Sequence, residues 1–479
     1  MAPPSVIGAG AGLDLQDIQG LVARGYGHLP SACFVAAGVE EPRAARTWLR
    51  SLAEMVTPAS ARPQDHALQV AFTHGGLSKL GVKPSAADGF SAEFVGGMNT
   101  PHRRRLLGDV DANAPEEWAW GGPATPRIDV LLLFYARDPG ELDALRAAQT
   151  ERLAAGGLRE VVTLPTRELD AFEHFGFHDG ISQPIITGLS KTGPWADTVS
   201  AGEFVLGYPN EYGLVTSSPL VSASTDPEGL LAAHPSDRGF RDFGRNGTYL
   251  VLRQLRQHVH RFWRYADLMA RASGPADDPM APVALASKLV GRWPSGAPLV
   301  RSPDRDDERL SDSNDFAYHG VDPYGDRCPI GAHIRRANPR DSLDPDPGTR
   351  KSVAVGKRHR LLRRGRSYGP RIDLQAALEG DEEPGDERGL HFLCLNANIA
   401  RQFELVQHTW LNNPKFGELY EDPDPLMGAP VGAGRTFTLQ GSPTRKRLSG
   451  MPEFVSVRGG AYFFLPGVAA LRYLARLNP

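Results

Sequence analysis

The chain has 479 residues, 41% of them hydrophobic and 23% charged, with a formal net charge of −3. This is the balance of an ordinary globular protein, long enough for two or three domains, and it excludes global disorder and a general electrostatic affinity for nucleic acid. The three cysteines, Cys33, Cys328 and Cys394, form no C-x-x-C pair, which argues against a disulfide framework or a cysteine-rich zinc site and for buried free thiols.

The first residues, Met-Ala-Pro-Pro-Ser-Val-Ile, lack the basic start and sustained apolar core of a signal peptide. No stretch reaches the ~18 apolar residues of a membrane span, so a cytoplasmic protein with no membrane contact is expected, with export by an unrecognised route left open. Gly8-Ala-Gly10-Ala-Gly12 is no dinucleotide fingerprint, because its third glycine comes one position early and no strand precedes it.

Ala32 to Val39 is an apolar, strand-compatible run, and Glu41 to Val56 has helical spacing through Ala45, Trp48, Leu49 and Leu52. His66 to Thr73 alternates like a strand. Ile128 to Tyr135, within Arg127 to Arg137, is the strongest buried-strand signal in the chain. Pro139 then opens a helix that continues through Leu142, Leu145 and Leu153 to Gly156, and Leu158 to Leu164 returns as a strand. The order β-α-β, insertion, β-α-β is that of a split, ferredoxin-like α+β unit. The insertion, residues 75–126, carries His102-Arg-Arg-Arg105 and Trp118-Ala-Trp120. It reads as a surface excursion first, with a cover for one face or an oligomer contact as the alternatives.

Beyond Gly180 the pattern is looser. Gly247 to Arg253, His359 to Leu362, Leu390 to Leu395, Phe454 to Val457 and Ala461 to Leu465 read as strands, and His260 to Ser273 and Ile399 to Leu411 as helices. Gly274 to Phe316 reads as polar loops, and the segments starting at Asp341 and Glu379 as exposed acidic loops. A second α+β domain is expected, although no internal repeat is visible.

Three segments carry residues suited to chemistry. Gly176-Phe-His-Asp179-Gly180-Ile-Ser-Gln-Pro184 puts a carboxylate on a glycine-bounded loop, where an Asx-turn is its ordinary role and a proton-transferring acid/base the functional one. Cys328-Pro-Ile-Gly-Ala-His333-Ile-Arg-Arg-Ala-Asn-Pro-Arg340 offers a histidine. An imidazole that ligates haem iron needs an acceptor on its other nitrogen, and Glu404 is the first candidate, with Asn398 in competition. His359-Arg-Leu-Leu-Arg363-Arg-Gly-Arg-Ser-Tyr368 offers a fixed positive charge. Peroxide cleavage requires a group that takes a proton from one oxygen and returns one to the other, beside a cation facing the departing hydroxide; Asp179 and Arg363 could fill these roles. His174 and His178 have the i, i+4 spacing of a helical metal site, but Gly176 and Gly180 favour loop roles. The basic run from Arg350 to Arg366 could suggest a nucleic-acid surface, yet its interleaved leucines point to a partly buried strand.

Taken together, these segments, with Asp17-Ile-Gln-Gly20 and Asn398-Ile-Ala-Arg401-Gln-Phe-Glu404, resemble the dye-decolourising peroxidase family, in particular its longer members. The resemblance spans nearly the whole chain. It implies two ferredoxin-like domains of the dimeric α+β barrel type, with antiparallel sheets and peripheral helices, over residues 15–178 and 179–479. It also implies one haem b per chain, with His333 as axial ligand, Asp179 and Arg363 as catalytic residues and Arg340 against a haem propionate. Hydrogen peroxide and bulky dyes or phenolics would be the substrates, with Tyr368 and Trp410 as candidate electron relays, although packing is the commoner role of such rings. A haem storage, transport or iron-releasing protein is the alternative. No nucleic acid partner follows, an oligomer is compatible with the sequence, and no compact carboxylate cluster marks a manganese site.

Overall fold

The structure, a computed structural model, describes residues 12–85, 89–189, 191–272, 278–381, 387–430, 434–441 and 443–477. Residues 8–11 of the glycine run, Ser273 and Gly274 at the end of one expected helix and the start of the polar segment, 382–386 of the second acidic loop and the chain end at Asn478 and Pro479 lie outside them.

The first half contains β1 (Ser31–Val39), α1 (Pro42–Ala53), β2 (His66–Phe72), β3 (Val130–Ala136), α2 (Pro139–Ala155) and β4 (Leu158–Pro165). β1 is buried along its whole length because alternate side chains enter two different cores: Cys33, Val35 and Ala37 pack with Trp48 and Leu49 of α1, while Ala32, Phe34 and Ala36 enter the other. This explains why β1 and β3 read as continuous apolar runs rather than alternating ones. Pro42 and Pro139 occupy the first turns of their helices, and the Asp138 carboxylate caps α2 by accepting from the Glu141 N–H at 2.9 Å.

The second half contains β5 (Thr248–Gln257), α3 (Val259–Arg271), α4 (Ala281–Val290), α5 (His333–Ala337), α6 (Arg350–Lys357), β6 (Leu362–Arg363), β7 (Arg366–Tyr368), β8 (Gly389–Asn396) and β9 (Val455–Leu465). All these strands join one sheet in the order β4-β1-β3-β2-β9-β5-β8-β6, with β7 also on β8 and every pairing antiparallel. Each half has the 4-1-3-2 strand order of a ferredoxin-like unit, with β6 and β7 sharing the second position of the second half. The repeat missing from the sequence is present in the topology. The halves meet edge to edge, Phe72 opposite Phe464, and the path stays open at β4 and β6 instead of closing into a barrel.

Beside the strand expected over His359 to Leu362, which begins only at Leu362, three elements differ from expectation. α4 lies inside the segment read as polar loops; its short Ala-Pro-Val-Ala-Leu-Ala run is buried on almost every side, so no polar face betrays its period. The two strand segments near residue 460 are one strand, which bridges Gly459-Gly460 with a register shift opposite Gln254 and Leu255. The insertion is not a surface excursion: Phe90, Phe94, Met98, Leu107 and Trp118 join the core, Phe94 packs on Tyr249 and Phe464, and the Trp120 indole donates to Gln254 at 2.7 Å. It covers a face of the second-half sheet. Among the described residues, no helix is long and apolar enough to cross a membrane, and all three cysteines are free and buried.

Candidate active site

Asp179 sits on a loop built by its own backbone. Gly176 and Gly180 have φ of 93° and 85°, values a side chain disfavours. The Glu173 carboxylate gathers the turn, accepting from the N–H groups of Phe175 and Phe177 at 2.9 Å each and from Gln257 at 2.6 Å. Phe175 stacks on Phe262 and Phe177 on Trp263, which fastens the loop to α3. The Asp179 carboxylate then accepts from its neighbour Gly180 N–H at 2.6 Å and from Arg363 at 2.8 Å. Arg363 is fixed by the pairing of β6 with β8 and by Gln183, whose side-chain oxygen accepts its backbone N–H.

Asp179 and Arg363 line a cavity of about 270 Å³ together with His333, Arg340, Arg360 and apolar walls that include Phe392, Phe403 and Leu411. The Asp179 side chain is 43% accessible, yet burial is the largest influence on its proton affinity. Both hold because its accessible surface faces this internal cavity. Burial alone would raise the carboxyl, but the Arg363 guanidinium and the Gly180 N–H outweigh it and keep Asp179 below the ordinary aspartate value.

His333 opens α5, and Arg336 one turn later clamps that helix by donating to the carbonyls of Trp410, Asn413 and Asp422. The His333 Nδ1 lies 3.0 and 3.1 Å from the two oxygens of Asp424. Asp424 is wholly buried and also accepts from the N–H groups of Leu426 and Met427 at 2.9 and 2.8 Å. Burial pulls the imidazole down and pushes the carboxyl up; each is overridden by its partner, so His333 is raised and Asp424 lowered. With Nδ1 engaged as donor, Nε2 is the ring nitrogen free to ligate a metal.

Glu404, expected as the acceptor behind His333, is not there. It accepts from Arg103 at 2.8 Å and from the Tyr462 hydroxyl at 2.9 Å, turned toward the insertion and β9. The reason is the phase of its helix. Residues 400–411 wind in wide turns, with Glu404 N–H reaching Ile399 O at 2.9 Å and Asn412 N–H reaching Gln407 O at 2.8 Å, so Phe403, Val406 and Leu411 face the cavity instead. Asn398 caps this stretch by accepting from the Arg401 N–H. Asp424, from the Asp422-Pro-Asp424-Pro segment, was missed; its place between two prolines says nothing of His333.

Arg340 stands on the cavity wall, but its terminal N–H groups already bond Asn314, the Phe316 carbonyl and Ser182, and its guanidinium carbon lies 3.7 Å from the centre of the Phe316 ring. Arg360, also missed, is less satisfied: it donates to Ser182 O at 3.3 Å and meets Asp197 only at 3.6 Å. Burial, together with repulsion from Arg340, lowers Arg360 to about 10. Tyr368 and Trp410, candidates for surface relays whose commoner role is packing, are each only 6% exposed, Tyr368 stacked on His391 and Trp410 edge-on to His359. They are packing residues. Nor is the basic run one surface, since Arg364 and Arg366 turn inward onto carbonyls between Leu21 and Pro30. His174 and His178 bond backbone carbonyls, as loop residues do. Among the described residues no group of three or more His, Cys, Asp or Glu could hold a metal ion.

Glu173 makes a separate prediction. Burial pushes it from 4.5 up to about 7 against the pull of its N–H donors. The folded protein therefore holds a proton that the unfolded chain releases, and stability falls as pH rises through this window. Denaturant unfolding from about pH 4 to pH 8 should show this loss in the parent and a flatter profile in Glu173→Gln.

No family model matches the chain. Along 422 residues it is 29% identical to a dye-decolorizing peroxidase of Exidia glandulosa, covering 85% of this chain and 75% of that one. It is 29% identical to the multifunctional dye peroxidase DyP2 of Amycolatopsis, covering 90% of this chain and 87% of that one. The crystal structure of a fungal DyP-type peroxidase from Auricularia auricula-judae superposes with a TM-score of 0.78 at 27% identity, over 98% of this chain and 100% of the other. Over nearly its whole length the chain is similar to dye-decolourising peroxidases. A shorter match, 30% identity over 196 residues, covers 41% of this chain and 33% of a deferrochelatase of Yersinia pestis. The peroxidase and deferrochelatase relatives point to a haem-dependent group. The cavity fits such a cofactor: it offers apolar walls for a macrocycle, a braced imidazole for iron, and the incompletely paired Arg360 beside Arg340 for its carboxylates.

Proposed function

We propose that the protein binds one haem b per chain and uses it to reduce hydrogen peroxide while oxidising dyes, phenolics or similar one-electron donors. The haem would supply the redox chemistry. His333 would hold the iron through Nε2, while Asp424 keeps the proton on Nδ1 and the ring in place. Arg360 and Arg340 would draw the propionates to their wall of the cavity. The Asp179 carboxylate would take a proton from one peroxide oxygen and return it to the other, and Arg363 would stabilise the charge leaving with that oxygen. The observation that carries this reading is the Asp179–Arg363 pair at 2.8 Å, placed in the same cavity as an imidazole braced by a carboxylate.

The deferrochelatase match favours a second reading, in which the same site handles haem without peroxidase turnover. Steady-state assays with hydrogen peroxide and 2,6-dimethoxyphenol, a compound with which a related peroxidase has been crystallised, separate the two. The peroxidase reading predicts haem-dependent turnover. Release of haem iron without oxidation of the phenol would support the other.

A further inference from the structure

Outside the cavity, two exposed aromatic side chains are each accompanied by cations. Trp195, 40% exposed, has Arg350 4.2 Å and Lys357 4.4 Å from its ring centre. Tyr212, 49% exposed, has Arg358 at 4.1 Å and Arg401 at 5.2 Å. The two groups form one shelf, because Lys357 reaches from Trp195 to Glu211, the neighbour of Tyr212, at 3.2 Å. Lys357 and Arg401 are neutralised by Glu211 and Glu203. Among the described residues, Arg350 and Arg358 pair with no carboxylate, and the Arg358 Nε is buried without a hydrogen-bond partner. The shelf therefore combines exposed rings with positive charge that its own acids do not balance.

It also adjoins the site. A second cavity of about 70 Å³, lined by Lys357 and Ala196, shares Asn338, Arg340 and Arg360 with the first. Trp195 is two residues from Asp197, whose carboxylate meets Arg360 at 3.6 Å.

We propose that this shelf is a docking site for aromatic anions, planar donors bearing a sulfonate or carboxylate that are too large to enter the cavity. Their rings would lie against Trp195 and Tyr212 and their charged groups against Arg350 and Arg358. The proposal rests on the peroxidase reading for its use in turnover, since each hydrogen peroxide reduced to two waters in the cavity takes up two protons and two electrons, one electron from each of two donors docked in turn. The binding itself does not depend on that reading.

The test is calorimetric titration of the haem-loaded protein with anthraquinone-2-sulfonate in the absence of peroxide, beside Trp195→Ala/Arg350→Ala and, as a milder change, Arg350→Glu. Affinity should fall about tenfold or more in both variants. With peroxide, KM for a sulfonated anthraquinone dye should rise by a similar factor while kinetics with 2,6-dimethoxyphenol stay unchanged. Equal affinity in parent and variants would overturn the proposal, as would a parent dimer that the double variant dissociates, since the shelf would then serve a second copy of the chain. Dye binding that the variants weaken, in a protein with no turnover of either donor, would leave the shelf standing and refute the peroxidase reading.

Discussion

Arg363→Leu is expected to slow the reaction with hydrogen peroxide by about a hundredfold to a thousandfold, the loss typical of removing one aligned donor from a developing negative charge. The same substitution should move the acid limit of activity upward. In the parent, Asp179 lies below the ordinary aspartate value because Arg363 and the Gly180 N–H overcome the effect of burial. A base works when ionised, so the parent's rate should hold from neutral pH into the aspartate range and fall only as pH drops through that lowered value. Without the guanidinium, burial acts with less opposition, the carboxyl takes up its proton at higher pH, and the acid limb begins earlier. Second-order rates measured across pH, in protein shown by circular dichroism to remain folded, check both effects. An acid limb that stays in place would break the link between Arg363 and Asp179.

Asp424→Ala should be the most damaging change on the other side of the site. It removes the acceptor of His333 Nδ1–H and of the Leu426 and Met427 N–H groups, and takes from Arg336 one of the two buried carboxylates near it, leaving Asp422. Breaking a buried pair in this way costs roughly 3–5 kcal/mol, and the partial exposure of His333 places the loss toward the lower figure. Removing the acceptor behind a ligating histidine also weakens metal affinity or activity by about tenfold to a hundredfold. Asp424→Asn keeps the shape and one acceptor oxygen, so it should recover part of the stability while still impairing haem affinity. Unfolding of the haem-free protein and haem titration of the parent and both variants separate the two contributions. Glu404→Gln, by comparison, should leave haem affinity near the parent value, because Glu404 bonds Arg103 and Tyr462.

The sequence made β1 to β4 and the α helices between them legible because their apolar runs are long and bounded by proline and glycine. It also made Asp179, His333 and Arg363 legible, because each stands in an unusual local frame. What stayed hidden depended on contacts between distant segments. Asp424 reaches His333 across 91 residues, and nothing near either residue announces the pairing. Glu404 had the right chemistry on the right helix, but wide turns rotated it away, a phase change that α-helical spacing cannot express. Trp410 and Tyr368 looked available for electron transfer because an aromatic ring carries no mark of its burial in a linear reading. The insertion read as a surface excursion because its Phe90, Phe94 and Trp118 are spaced irregularly, and nothing local shows that Phe90 and Phe94 pack on Phe464 and Tyr249 of the second-half sheet.

The most direct test of the central claim is a stopped-flow absorbance measurement of the haem-loaded protein mixed with one equivalent of hydrogen peroxide, alongside Asp179→Asn. The parent's Soret band should change rapidly and revert when a phenolic donor is added, with the change slowed in the variant by about a hundredfold or more. A Soret band indifferent to peroxide, or one that responds equally fast in both proteins, would contradict that claim.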